Sequence, residues 1–158
     1  MEKIQKILRN PQFLKFVKAN KAHEKGRKFC KHNLPHFLDV ARIGYILALE
    51  SEKGADKEKI YAAALLHDIG KWQQYEDKTP HNISGAELCV PILQDAGFTE
   101  ADIQEIVKAI LVHRDGKNIQ AGSLSDILFR ADKLSRNCMF CKAADACKWR
   151  YKNAELIL

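Results

Sequence analysis

Apolar residues recur at steps of three and four along most of this chain, the spacing of one face of an α-helix. Val40, Ile43 and Leu47 mark one such face, Ile103, Ile106 and Ile110 another, and Leu124, Ile127, Ala131 and Leu134 a third. No alternating apolar–polar run extends beyond a few residues, so the pattern predicts an all-α fold. Capping and breaking residues bound the helices. Asn33, with Pro35 in the first turn, starts a helix that runs to about Glu52 and closes at Gly54. Asp56 opens the next, which carries Ala62 to Leu66 towards Gly70, and a polar loop is expected from Trp72 to Pro80. A helix from about Pro80 to just before Gly97 contains Pro91, which predicts a kink or a break. Thr99 and Asp102 start a helix that reaches His113. A loop containing Gly116 follows, and Ser123 opens a helix to about Arg136. The first thirty residues read as one or two short helices around Asn10-Pro11.

At 158 residues the chain is long enough to bury a core without disulfides or structural metals. Its net charge of +6 changes the picture little. Lysines cluster between Lys15 and Lys31, either as a solvated helix face or towards a phosphate-rich partner. No basic patch interleaved with aromatics is present, so no specific nucleic-acid partner is expected. The first residues are charged and lack an apolar signal core, and no apolar run is long enough to span a bilayer. The expectation is a cytoplasmic protein without a membrane partner. Five cysteines in such a compartment point to metal binding or redox chemistry rather than disulfides.

The candidate chemistry lies at helix ends. His67 and Asp68 follow Ala62 to Leu66, a dry stretch in which an imidazole and a carboxylate need compensation. A divalent metal provides it, whereas a surface His-Asp pair at a helix terminus is the plain alternative. Four more candidates fall on inward faces. His36 heads the stripe of Val40, Ile43 and Leu47. His81 leads Gly85, Leu88 and Ile92, His113 closes the face of Ile103 to Ile110, and Asp132 lies one turn beyond Leu128. One histidine on an apolar face is usually a hydrogen-bonded core residue. Four histidines and two aspartates at the inner edges of successive helices can instead satisfy each other through metal.

The order His36, His67-Asp68, His81, His113, Asp132 resembles the HD superfamily of metal-dependent phosphohydrolases. So do the segments His36 to Arg42, His67 to Lys71, His81 to Leu88 and Ala131 to Leu134. The resemblance implies an HD domain over residues 1–136, with a Cys-containing extension, residues 137–158, packed on it. Histidines at positions 81 and 113 resemble the two-metal branch of the family. That branch implies His36, His67 and Asp132 on one metal, His81 and His113 on the other, and Asp68 bridging both. In length and spacing the chain is similar to the bacterial HD-type diadenosine tetraphosphate hydrolases. The second adjacent histidine and the Gly-Tyr-Pro motif of the cyclic-dinucleotide phosphodiesterase subgroup are absent; the chain reads His113-Arg114-Asp115-Gly116-Lys117.

Imidazole and carboxylate ligands suit iron, manganese, cobalt, nickel or zinc. Two such ions, bridged by Asp68 as the central catalytic residue, can activate water and clamp a phosphoryl oxygen. Lys71 is a candidate catalytic and substrate-binding cation, or a solvated lysine at a helix end. Arg114 and Lys117 are candidate phosphate contacts. Arg136, one turn after Asp132, either orients that carboxylate or is exposed. The expected partner is a phosphorylated small molecule, a nucleotide or dinucleotide. An HD-type di-iron oxygenase would use the same ligand order on an organic substrate and is the competing enzyme reading. A metal-sensing or iron–sulfur-sensing binding module is the third. It draws on Cys138, Cys141 and Cys147, three thiols in ten residues that suggest zinc or an iron–sulfur centre. If His36 and Asp132 meet at a metal, Cys30 is brought near as the fourth ligand, with His32 the next choice; metal-free thiols in a C-terminal cap are the alternative. Cys89 reads as core.

Overall fold

The chain folds around a helix whose C-terminal half is apolar on every side. The computed structural model describes residues 1–51, 56–116 and 118–147. Its helices are α1 (Glu2–Arg9), α2 (Pro11–His23), α3 (Leu34–Glu50), α4 (Lys57–Leu66), α5 (Lys71–Glu76), α6 (His81–Ala96), α7 (Glu100–Val112) and α8 (Leu124–Leu134). Short 3-10 turns follow at Cys138–Phe140 and Ala144–Ala146. No strand occurs among the described residues, so the fold is all-α. Ala62, Ala63, Ala64, Leu65 and Leu66 of α4 are all buried, as expected for a stretch without a polar face. Helices α1, α3, α6, α7 and α8 pack around it. Small side chains let these neighbours approach, while Leu65, Leu66, Ile106 and Ile110 fill the interior. Each such residue contributes roughly 1.5–3 kcal/mol on burial.

The caps act as the sequence suggests. Asn33 accepts from the His36 amide at 3.2 Å, and Asn10 accepts from the Gln12 and Phe13 amides to start α2. Thr99 and Asp102 form a reciprocal capping box on α7. Gly97 ends α6 with a left-handed φ of 86°.

Four boundaries differ from the sequence reading, the first of them the end of α4, which stops at Leu66 rather than Gly70. Residues 71–76 form α5 where a loop was expected. This helix buries no residue of its own; Asn20 of α2 holds its start, accepting from the Trp72 amide at 2.8 Å. The α6 helix runs through Pro91 unbroken, and α8 ends at Leu134 rather than Arg136. The expected stop at Gly54 lies outside the described residues. No described helix is long and apolar enough to cross a membrane.

Candidate metal centre

Four helix ends meet beside the turn that follows α4. His67 caps α4 and Asp68 comes next, while His36 lies in the first turn of α3. His81 is the first residue of α6, His113 caps α7, and Asp132 is in the last turn of α8. Two glycines allow the approach. A Cβ on Gly70 would lie 2.2 Å from Ser84 Oγ and 2.6 Å from the Gly85 nitrogen. A Cβ on Gly85 would lie 3.2 Å from the His67 carbonyl oxygen. Close contact between the His67–Gly70 turn and α6 is what carries His81 to Asp68.

The six expected ligands form two sets that share one carboxylate. Donor atoms of His36, His67, Asp68 and Asp132 all lie within 4.8 Å of one another, as do those of Asp68, His81 and His113. The oxygens of Asp68 divide between the sets. Oδ2 is 3.0 Å from His67 Nε2 and 3.8 Å from His36 Nε2. Oδ1 is 3.1 Å from His81 Nε2 and 3.7 Å from His113 Nε2. Asp132 Oδ1 faces the first set, 3.4 Å from His36 Nε2 and 3.8 Å from His67 Nε2.

The far side of each imidazole fixes which nitrogen faces inward. His67 Nδ1 donates to the Ala64 carbonyl at 2.7 Å, and His113 Nδ1 to the Ile110 carbonyl at 2.6 Å. His81 Nδ1 donates to Gln74 Oε1. Ser135 Oγ donates to the Asp132 carbonyl, which leaves it to accept from His36 Nδ1 at 3.3 Å. Against a carbonyl acceptor Nδ1 carries the proton in neutral His67 and His113, and with the same assignment at His81 and His36 each Nε2 presents a lone pair. Those lone pairs point at carboxylate oxygens. His36 Nε2, His67 Nε2 and Asp68 Oδ1 are buried without a hydrogen-bond partner. Facing acceptors of this kind need a cation between them. A proton answers part of the need: Asp68 and Asp132 raise the His67 pKa to about 10, against the opposing effect of burial. Divalent ions answer all of it, because each engages one complete donor set. The residues fit the metal that their spacing suggests.

Electrostatics within the site follow from burial opposed by charge. Burial raises both aspartates, but His67, His32 and the other imidazoles hold Asp68 well below the usual carboxylate range. The neighbouring His36 and His67 imidazoles and the Arg136 charge do the same for Asp132. His81 is lowered to about 4, chiefly by burial. Asp132 also accepts from Lys133 Nζ at 2.6 Å and Arg136 Nη2 at 2.8 Å, so Arg136 orients the carboxylate.

The candidate phosphate contacts lie on the His81 side. Lys71 Nζ is 3.3 Å from His81 Nδ1. Burial lowers its pKa, and Arg27 and Arg114 lower it further. Arg114 is exposed and donates to Asn82 Oδ1 at 3.3 Å. Lys117 lies outside the described residues.

A buried pair that periodicity does not reveal completes the centre. His32 Nε2 stands 3.8 Å from Asp68 Oδ2, and its Nδ1 donates to Glu24 Oε1. Glu24 Oε2 also accepts from the His32 amide at 2.7 Å, and Oε1 accepts from Tyr75 Oη at 2.6 Å. These bonds and the His32 charge bring the Glu24 pKa to about 2 despite burial. Asn20, also buried, donates to the Asp68 carbonyl at 2.9 Å. Glu24 ends α2 and His32 precedes α3, so no helical spacing links them.

The cysteines gather separately. Cys30, Cys138, Cys141 and Cys147 line one small pocket with Phe29 and Ala144. Burial, then the charges of Cys30, Cys147 and Cys141, raises the Cys138 thiol pKa. Cys89 is fully buried in the core.

Comparison with known proteins agrees with the geometry. The HD domain family model matches residues 34–149. An uncharacterized protein of Clostridium beijerinckii is 48% identical over 94% of this chain and 93% of its own length. Ribonuclease Y 1 of Pediococcus pentosaceus is 32% identical over 70% of this chain, and ribonuclease Y of Lawsonia intracellularis 35% over 68%. The matched part is 19% of each of those two enzymes. No solved structure matches the chain.

Proposed function

Because the chain belongs to the HD domain family, we propose that it is a metal-dependent hydrolase of a phosphate ester or anhydride in a nucleotide or dinucleotide. The observation that carries this reading is the division of Asp68, with one oxygen towards His36 and His67 and the other towards His81 and His113. That arrangement suits a carboxylate shared by two ions. His36, His67, Asp68 and Asp132 would hold one, and Asp68, His81 and His113 the other. Iron, manganese, cobalt, nickel and zinc all accept such ligands. When bound, the ions supply Lewis acidity and a water of lowered pKa.

The protein's own groups do the rest. Lys71 Nζ and the Arg114 guanidinium bind substrate phosphate from the His81 side, where positive charge meets the charge that develops on phosphoryl oxygens. Lys117, three positions further along the sequence, serves the same end. His32, held through Nδ1 by Glu24, keeps Nε2 turned towards Asp68 at the edge of the site. Burial of the centre excludes bulk water, which strengthens each of these interactions.

The name of the ribonuclease Y relatives adds a phosphodiester of RNA to the substrates worth testing. The test uses protein stripped of metal and reloaded with manganese, cobalt or iron in the absence of oxygen. It is offered nucleoside monophosphates, diadenosine polyphosphates, cyclic nucleotides and short oligoribonucleotides. Metal-dependent product release from at least one, abolished by chelator, is the expected result. Inactivity across the panel together with oxygen uptake on an organic substrate would favour the oxygenase reading instead.

A further inference from the structure

The four cysteines outside the HD centre have no part in the proposed hydrolysis, yet they converge from opposite ends of the chain. Cys30 lies in the segment before α3. Cys138 opens one 3-10 turn, Cys141 follows it, and Cys147 follows the next. The backbone supports this arrangement: the Cys141 amide donates to the Cys138 carbonyl at 3.4 Å, and the Cys147 amide to the Ala144 carbonyl at 3.1 Å. Four thiols from segments more than a hundred residues apart line a pocket of about 270 Å³, including its open mouth. The pocket has no other polar side chain in its lining.

The spacing of the sulfurs selects what fits among them. A tetrahedral zinc ion with Zn–S bonds of about 2.3 Å draws its four sulfurs to within about 3.8 Å of one another. Among the described residues, the sets of three or more donors gathered within 4.8 Å are the two histidine–aspartate sets. No three of the four sulfurs are gathered within that distance. A larger centre suits that geometry, and four cysteine thiolates are the ordinary ligands of a cubane cluster. We propose that Cys30, Cys138, Cys141 and Cys147 together bind a [4Fe–4S] cluster.

Such a cluster would join the segment before α3 to the segment after α8, the helices that carry His36 and Asp132. Arg136 lies between the two centres, bonded to Asp132 Oδ1 at 2.8 Å and placed against the Cys30 side chain. The thiolates would share its charge with Asp132, so the cluster sets the surroundings of one HD ligand without touching substrate.

Acid-labile sulfide is the decisive readout, since iron bound at the HD centre brings none. The full chain is purified without oxygen and reconstituted with ferrous iron and sulfide. The expected result is about four labile sulfides per chain, with broad visible absorption that bleaches in air. Cys30→Ser, Cys138→Ser, Cys141→Ser and Cys147→Ser should each lose most of the sulfide and colour. Cys89→Ala should keep both. The wild-type sulfide content stands whether or not a variant folds, and far-UV circular dichroism identifies any variant that does not. Wild-type protein without labile sulfide, metal-free or with one zinc per chain at the thiols, would overturn the cluster. A folded Cys30→Ser protein with full sulfide would overturn the four-thiolate assignment.

Discussion

Asp68 is the residue on which the proposed chemistry turns, because its two oxygens face different histidine pairs. Asp68→Ala should therefore abolish binding of both HD-site ions, whereas His113→Ala should weaken chiefly one; manganese content after reloading distinguishes them. Equal loss in the two variants would contradict the division. The six candidate ligands were legible because His36, His81 and His113 head or close apolar stripes, Asp132 lies beside one, and His67 and Asp68 end the dry stretch from Ala62 to Leu66. Glu24 and His32 were not, since they flank a non-helical segment and their pairing depends on the tertiary fold. Glu24→Gln should lower turnover by roughly 10–100-fold, the usual effect of losing an outer partner of a site residue, while HD-site metal content is kept. Full activity in that variant would remove His32 from the account. Arg136 is intermediate: its distance from Asp132 was readable, but the choice between bond and solvent needed the structure.

At the scale of the elements, caps and close approaches place the ligands. The capping box of α7 starts the helix whose other end presents His113. The Thr99 hydroxyl and amide hold Asp102 below the usual aspartate range, outweighing slight burial, with Lys59 and Lys3 adding to the effect. A lowered folded pKa means that stabilisation is present above the ordinary aspartate pKa and is lost as pH falls through the folded value. The stability gap between wild type and Asp102→Asn should thus be open at neutral pH and close in acid. A gap that widened on acidification, read by chemical denaturation, would contradict the box. Gly70→Ala tests the approach of α6. Its new Cβ meets Ser84 Oγ and the Gly85 backbone, so a destabilisation of about 1–3 kcal/mol is expected from overpacking. The displacement should weaken the ion at His81 and His113 more than the other, again read by metal content. Helix α5 escaped the sequence reading because Lys71 to Glu76 has no apolar stripe. Side chains from α2 hold it, through Asn20 to the Trp72 amide and Glu24 to Tyr75.

For the whole molecule, the all-α class was legible because caps and stripes agreed along the chain, whereas the central place of α4 came from the structure. The convergence of Cys30 on the C-terminal thiols followed from one step of reasoning, that His36 and Asp132 meet. Substrate was not legible, because the spacing of the candidate ligands bears on metal binding and carries nothing about the molecule that is hydrolysed. The part of the ribonuclease Y relatives that matches this chain is about a fifth of their length. The central claim is that two ions share Asp68, and anomalous X-ray scattering from crystals grown with manganese tests it most directly. The account predicts two peaks, one among His36, His67, Asp68 and Asp132 and the other among Asp68, His81 and His113. A single peak at full manganese saturation, or two peaks of which one does not touch Asp68, would contradict it.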